Sequence, residues 1–403
     1  MFGAADDAEF ARLKDPSALN DLYMKRGETT DPEQLAEIDA QIDAHPLRTH
    51  RWASNNSIFA KVGMDYTAIA ESIKANGEPG LVWLENMRAY GRMMDPPNHK
   101  DYRAMGSNPC AEQTLESFEL CCLVETFPAV HDSMEDYMVT LKYAYLYAKT
   151  VTLVPTHDER TNQVMNRNRR IGCSQSGIIQ AINKFGRRKY LEWCTNGYDA
   201  IQRFDKVYAE WLGVPRSIKT TSVKPSGTVS LLCGATPGIH YPHSEYYIRR
   251  IRISVSSDLV ELCRQAGYPV EKDVYDQSGK TMVVSFPIHE EHFAKSKDDV
   301  TIWEQVVNAV DLQHFWADNQ VSVTVTFRKD EADQIPAVLE GFEHSLKSIS
   351  FLPLSEHGYA QAPYETITKE AYEALVSHIK PMLLSVNNHD TDDKFCDGAT
   401  CTI

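Results

Sequence analysis

Three groups of residues in this sequence carry side chains able to do chemistry at spacings that bring their members together. The first is SNPCAEQTLESFELCCLVE, residues 107–125. Within five residues it offers an amide (Asn108), a thiol (Cys110) and a carboxylate (Glu112), with Pro109 stiffening the backbone between them. Alternate residues of an extended segment point the same way, so these three can converge on one small substrate. A thiol beside a carboxylate suits hydrogen-atom abstraction or nucleophilic attack, with the carboxylate as base. The plainer alternative is a loop cysteine beside a surface glutamate, and spacing alone favours it. Cys121 lies eleven residues beyond Cys110, consistent with a hairpin excursion that returns it to the same neighbourhood. If a strand follows, Cys121 and Cys122 face opposite ways, so one addresses the site and the other packs. A Cys–His dyad competes, with His131 or His157 as base, and nothing in the sequence favours either histidine.

The second group is FCDGATC, residues 395–401, where Asp-Gly supplies a turn that brings Cys396 and Cys401 together. A zinc site would need about four ligands, and only His389 is near. A mobile redox dithiol on a polar tail fits better, and no metal site is expected. The third group is KPSGTVSLLCGATPGIH, residues 224–240. A Pro-Ser-Gly-Thr turn after a strand, opening a helix beside Lys224, offers backbone N–H groups and hydroxyls to an anion. A simple strand-to-helix turn explains the same residues equally well.

The elements that position these groups read as alternating helices and strands. Residues 1–45 are helix-like, 48–60 lead into a short strand, 64–80 form an amphipathic helix, and 81–86 a strand. The long polar stretch 86–113 is of a length usually kept for function. Residues 127–154 read as a long helix running into a β-branched strand; 161–185 and 187–212 read as two further helices. Strands follow at 217–223, RIRISV, TMVVSFPI, 321–327 and 348–354, with helices at 301–317 and 330–346. Strands separated by helices predict an α/β fold with a largely parallel sheet. There is no GxGxxG behind a strand and no Walker-type loop.

Composition narrows the function classes. The 403 residues are 42% hydrophobic and 24% charged, as in a globular protein, and no apolar run approaches a membrane span. The acidic N-terminus fits no leader peptide, which predicts a cytoplasmic protein without membrane contact. A net charge of −15 argues against a broad nucleic-acid surface. The basic clusters Arg167/Arg169/Arg170 and Arg249/Arg250/Arg252 read as solvated or ion-paired faces. Nine cysteines in such a compartment do not suggest a disulfide framework, and Cys173, Cys194, Cys233 and Cys263 read as small buried hydrophobes.

Taken together, the stretches HRWASNN, NGEPG, SNPCAEQTLESFELC, NRRIGCSQSGI, TTSVKPSGTV, RRIRIS, WADNQVSVTVTF, SISFLPL, QAPYE and CDGATC resemble the monomeric, adenosylcobalamin-dependent (class II) ribonucleoside-triphosphate reductases, in order and approximate spacing. The resemblance runs the length of the chain, and NPC-x-E is its most specific part. It implies one half of a ten-stranded α/β barrel, with Cys110 on a finger loop. By that likeness, cobalt–carbon homolysis leads to a thiyl radical at Cys110, which takes the 3′ hydrogen of the ribose. Glu112 accepts the 3′-hydroxyl proton, and Asn108 hydrogen-bonds the ribose hydroxyls. Cys121 is one of two thiols that reduce the 2′ carbon. Cys396 and Cys401 restore it, thioredoxin restores them, and Ser226, Gly227, Thr228, Val229 and Ser230 hold the substrate phosphates. Along the chain this implies a second-half barrel region (1–245), an accessory α+β region (246–320), a final strand with C-terminal helices (321–385) and a redox tail (386–403).

The sequence departs from the family pattern in one respect. In the family, a substantial N-terminal portion carries the first barrel half, the allosteric site and the partner cysteine of Cys121. The present sequence matches from near the middle of that pattern, and none of its cysteines stands where the partner should be. The expectation is therefore a fragment or half of a split enzyme that works with a companion N-terminal chain. The alternative is a catalytically silent structural subunit. A glycyl-radical enzyme would need a C-terminal glycine loop that is not evident, and a thioredoxin-like carrier would need Cys-x-x-Cys.

Overall fold

The computed structural model describes residues 1–49, 54–276, 278–354 and 360–382. Its strands are β1 Phe2–Ala4, β2 Ser57–Phe59, β3 Gly80–Val82, β4 Gly106–Ser107, β5 Thr114–Leu115, β6 Leu123–Thr126, β7 Gly172–Gln175, β8 Tyr246–Ser254, β9 Val270–Lys272, β10 Thr281–His289, β11 Thr324–Phe327, β12 Ser348–Pro353 and β13 Tyr364–Thr366. Two compact units result. One is Met1–His240 with Val300–Leu354; the other is Tyr241–Asp299 with the described residues beyond 360. The helix Ile302–Phe315, placed by sequence in the accessory stretch 246–320, belongs to the first unit.

In the first unit β6 pairs in parallel with β7, and Leu123 lies opposite Gly172. Single parallel bridges then join Cys173 to Thr221 and Val223 to Val321. From there β11 pairs in parallel with β12, β12 pairs antiparallel with β3, and β3, β2 and β1 follow in parallel. The parallel connections run through helices, because parallel neighbours need a long crossover. Met134–Val151 and Glu159–Asn168 lie between β6 and β7, and Ile178–Phe185 and Arg187–Leu212 follow β7. Their starts are written locally: Ser133, Asp158 and Thr301 each turn a side-chain oxygen onto a free N–H of the first turn. The core between sheet and helices includes Ile58, Leu81, Tyr137, Leu141, Trp193, Leu312, Trp316 and Phe351, all buried.

The second unit is an antiparallel sheet in the order β13-β8-β10-β9, with helices Asp258–Gln265 and Lys369–Val376. Its basic cluster is ion-paired: Arg250 binds Glu365, and Arg252 binds Asp273 at 2.9 Å.

Several local expectations are corrected. Residues 161–185 are not one helix: the chain breaks at Arg169, in left-handed conformation, and Gly172–Gln175 form β7 before the next helix. All four residues of β7 are buried, and a short strand covered on both faces has no periodicity to betray it. The β-branched residues 151–154 form no strand; the helix ends at Val151, and Val154 is exposed without a partner strand to pack on. Residues 217–223 pair only through the two bridges, and β3 stops at Val82 before the helix Leu84–Ala89. Residues 330–346 are helical only over Ala332–Gln334 and Ile335–Phe342. Cys173, Cys194 and Cys263 are buried as expected, whereas Cys233 is exposed.

A buried polar cluster ties the long stretch 86–122 to the strand ends. Arg170, fully buried, binds Asp101 at 2.7 and 2.8 Å and Glu119 at 2.9 Å. Lys219 also reaches Asp101, at 2.9 Å. Lys347 donates to the carbonyls of Tyr90, Gly91, Asp318 and Asn319 at 2.6–3.1 Å. Burial works against charge on Asp101, but Lys219 and Arg170 outweigh it and hold the carboxyl down at about 2. Replacing Arg170 by Met strands Glu119 without its cation and leaves Asp101 with Lys219 alone, and the loss should be about 3–5 kcal/mol in urea unfolding. A folded carboxyl pKa below its unfolded value stabilises above pH ~4, and that contribution fades as pH falls towards 2. Acid unfolding monitored by circular dichroism should show this loss in the parent chain; a stability independent of pH over that window would contradict it.

Candidate active site

Cys110 stands at the tip of the hairpin made by β4 and β5, in which Gly106 faces Leu115 and Ser107 faces Thr114. Asn108 closes the tip. Its Oδ1 accepts the Gln113 N–H at 3.0 Å, and its own N–H returns to the Gln113 carbonyl at 3.2 Å. Ala111 takes a left-handed conformation (φ 57°), which turns the chain back sharply. Polar groups of the strands hold this tip from outside. Ser322 donates to the Cys110 carbonyl, Ser222 to the Glu112 carbonyl at 2.7 Å, and the Gln320 N–H to the same carbonyl at 3.2 Å. Gln113 reaches the Cys122 carbonyl at 2.9 Å. That contact requires glycine at 172, where a Cβ would come within 2.6 Å of the Gln113 amide nitrogen.

Glu112 is the central electrostatic feature. Its side chain is completely buried, which overturns the reading of a surface glutamate. One oxygen accepts Lys224 Nζ at 2.9 Å; the other, Oε2, is buried without a hydrogen-bond partner. Burial opposes the charge of Lys224, but the charge of Glu112 and its hydrogen bond outweigh it and raise the lysine. Lys224 is held by its own backbone as well, its N–H donating to Ser174 Oγ at 2.8 Å. Gly238 (φ 50°) packs on that backbone, where a Cβ would lie 2.3 Å from the Lys224 carbonyl.

The thiols divide as the strand alternation implies: Cys122 is buried and Cys121 is exposed. Although Cys121 keeps contact with solvent, the protein crowding its sulfur pushes the thiol up to about 12; Glu112 adds to this and Lys224 opposes it. Cys110 acts on the same thiol, so Cys110, Cys121, Glu112 and Lys224 share one electrostatic neighbourhood. A cavity of about 400 Å³ lined by Cys110, Ala111, Asn55, Ser322 and Ser350 lies beside the hairpin tip. His131 turns its Nδ1 onto Asp136 at 2.5 Å, which occupies that nitrogen.

One residue escaped the sequence reading. Glu125 on β6 accepts Ser176 Oγ at 2.7 Å and Ser174 Oγ at 3.1 Å, and burial pushes its carboxyl up to about 7, with Lys224 opposing and Glu112 adding to the rise. A glutamate in the apolar run Leu123–Thr126 was the available signal, since charge on a strand facing a core needs a reason.

In the turn after Lys224, Ser226 adopts φ 37° and buries its Oγ without a hydrogen-bond partner. Ser230 turns its hydroxyl back to the Ser226 carbonyl at 2.6 Å. The expected helix is only a 3₁₀ turn, Val229–Cys233. The N–H groups of Gly227 and Thr228 find no acceptor among the described residues. Cys396, Cys401 and His389 lie outside the described residues. Among the described residues no cluster of three or more His, Cys, Asp or Glu could hold a metal, and no helix is long and apolar enough to cross a membrane.

The shared neighbourhood makes Cys121 a reporter. Glu112→Gln removes a charge that raises the thiol, so alkylation of Cys121 by iodoacetamide at pH 9, followed by mass spectrometry, should speed up several-fold. Lys224→Met should slow it. Equal rates in all three proteins would show that the four groups do not act on one another.

No family profile matches the sequence. The chain is 51% identical over 384 residues to a probable adenosylcobalamin-dependent ribonucleoside-triphosphate reductase of Dictyostelium discoideum, covering 93% of this chain and 50% of that protein. With the adenosylcobalamin-dependent ribonucleoside-triphosphate reductase of Euglena gracilis it shares 49% identity over 369 residues, covering 89% and 50%. Among solved structures, a B-12 dependent (class II) ribonucleotide reductase superposes with a TM-score of 0.79 at 33% identity, over 94% of this chain and 53% of that one. The chain spans about half the length of these relatives. With identity near one half across nearly its whole length, and a fold to match, the chain belongs to the adenosylcobalamin-dependent (class II) ribonucleotide reductase family.

Proposed function

We propose that this chain is the radical-bearing half of a ribonucleoside-triphosphate reductase and reduces the 2′ carbon of the substrate ribose together with a companion chain. The observation that carries the reading is Glu112: a buried carboxylate with one oxygen on Lys224 and the other unpartnered, at the tip of the hairpin that carries Cys110. A buried acceptor without a donor is costly, and a substrate hydroxyl satisfies it.

Of the residues lining the cavity beside Cys110, Asn55, Ser322 and Ser350 would supply polar contacts to the nucleoside part of adenosylcobalamin. When bound, the cofactor supplies the one-electron oxidant that takes the hydrogen atom from the Cys110 thiol. The Cys110 sulfur then accepts the 3′ hydrogen atom of the ribose, and Glu112 Oε2 accepts the 3′-hydroxyl proton. Asn108, whose Oδ1 is engaged with the Gln113 N–H, presents its Nδ2 to the ribose hydroxyls. Cys121 gives a proton to the departing 2′ hydroxyl, which leaves as water; its raised pKa keeps that proton in place at neutral pH. Two electrons come from Cys121 and a thiol of the companion chain as they join in a disulfide; the companion thiol's hydrogen passes to the 2′ carbon, and Glu112 gives its proton back to the 3′ oxygen. The Cys110 sulfur returns the hydrogen atom to the 3′ carbon. The amides of Gly227, Thr228 and Val229, with the hydroxyl of Ser226, cradle the triphosphate, and Ser230 braces the turn through its bond to the Ser226 carbonyl. Cys396 and Cys401 then reduce the disulfide by thiol exchange, and thioredoxin reduces them.

One feature supports pairing with the other barrel half: the outer edges of β1 and β6 carry no partner strand among the described residues. Such edges are ready templates for pairing; in this reading they close a barrel in which the Cys110 hairpin is the finger.

The test mixes this chain with the N-terminal half of a relative, ribonucleoside triphosphate, adenosylcobalamin and dithiothreitol, and measures deoxynucleotide. Cys110→Ser should abolish the product, and activity equal to the parent would overturn the assignment. A Cys396→Ser/Cys401→Ser double variant should lose thioredoxin-driven turnover while keeping part of the dithiothreitol-driven rate. Equal loss with both reductants would remove the tail from the scheme.

A further inference from the structure

A second polar cavity, of about 420 Å³, lies at the opposite ends of the parallel strands from the Ser226 turn. Its lining includes Asn168, Ser217 and Asp318, which precede β7, the Thr221–Val223 segment and the Val321 segment, whereas Ser226 follows Val223. The volume falls within the roughly 300–1,000 Å³ typical of small-molecule sites.

The charge around it is unlike that of the protein as a whole. The chain carries a net −15, yet the lining holds Lys100, Arg103, Arg167 and Arg216 against the carboxylates of Glu116 and Asp318. Arg167 is paired with Glu116 at 2.5 Å, and Arg216 reaches Asp205 at 3.3 Å. Asp318 has both oxygens occupied by the N–H and hydroxyl groups of Thr220 and Thr221. Lys100 and Arg103 have no carboxylate partner among the described residues. They are presented on a held turn: Asp101, between them, is buried against Arg170 and Lys219, and the Lys100 N–H donates to Asn98 Oδ1 at 3.0 Å. Between them, too, Tyr102 exposes its ring, with the Arg103 guanidinium 5.1 Å from its centroid.

Unpaired cations fixed at the rim of a concave polar wall concentrate positive potential and favour a multivalent anion. We propose that this cavity binds a polyphosphate group, either free or carried by a nucleotide, at a site separate from the Ser226 turn. Lys100 and Arg103 supply the uncompensated charge, Arg167 and Arg216 extend it, and Tyr102 offers a stacking surface to a base.

Isothermal titration calorimetry on the full chain tests this, with sodium tripolyphosphate as the first probe. The parent should bind it, more weakly at higher salt, and Lys100→Ala/Arg103→Ala should weaken binding by about tenfold or more, the equivalent of one charge-assisted hydrogen bond. Both side chains are exposed and have no carboxylate partner among the described residues, so the variant should keep the parent's thermal unfolding curve. Lys224→Met, at the Ser226 turn, should leave this binding intact. Tighter binding of ATP than of tripolyphosphate, with the gain lost in Tyr102→Ala, identifies a nucleotide; equal affinity identifies polyphosphate alone. No binding by the parent, unchanged affinity in the double variant, or loss only in Lys224→Met would overturn the site. Deoxynucleotide formation by the mixed halves is a separate readout, so the failure of either proposal is distinguishable from that of the other.

Discussion

The position of the Cys110 hairpin depends on a guanidinium that never meets water. Arg170 joins Asp101, just before the hairpin begins, to Glu119, just after it returns. Both carboxylates are buried, so neither can leave the cation without facing the desolvation penalty of a lone charge in a low-dielectric interior. An ion cluster of this kind adds little net stability compared with a well-packed apolar core, but it does constrain geometry. Each donor of the fork meets a specific acceptor, and sliding the segment by one residue would break several bonds at once. Lys219 and Lys347 extend the same constraint to the loop ends near Met87, Tyr90 and Gly91.

The hairpin tip is held differently. Its backbone carbonyls accept from Ser222, Ser322 and the Gln320 N–H, and Asn108 folds onto Gln113. Short hydroxyl side chains from neighbouring strands leave room for a loop among them, where large apolar residues would fill it. The outcome is a charged group, Glu112, placed where water does not reach and balanced by one lysine. In such surroundings a single charge influences every neighbouring titration, which is why Glu112 appears in the environments of Lys224, Cys121 and Glu125 alike. Under the proposed function these charges are in place before a substrate enters, which would spare the reaction the reorganisation that water demands.

Much of the fold was legible in the sequence where the signal is local. The helices Met134–Val151, Arg187–Leu212 and Ile302–Phe315 follow from apolar spacing and a capping or glycine boundary. Strands β8, β10 and β12 follow from β-branched runs. β7 was hidden inside an apparent helix because Gly172–Gln175 are small or polar and buried, a pattern that arises only when both faces of a strand are covered. The apparent strand at 151–154 failed for the complementary reason: propensity without a neighbour to pair with does not make a sheet.

The sequence by itself determined the residue types and their order: the amide, thiol and carboxylate at 108, 110 and 112, the alternation that separates Cys121 from Cys122, and the turn that follows Lys224. It also determined family membership, since the motifs recur in order along the chain. Only the tertiary structure decided which of these residues act on one another. Lys224 reaches Glu112 across 112 residues of chain, and Arg170 reaches Glu119, Asp101 and Asn319 across 51, 69 and 149. It also decided that Glu112 is buried and that Glu125 has a protonation state worth noticing. Burial and charge pairing are sums over neighbours from distant parts of the chain, and no local pattern encodes them; they come into being when the strands take their places.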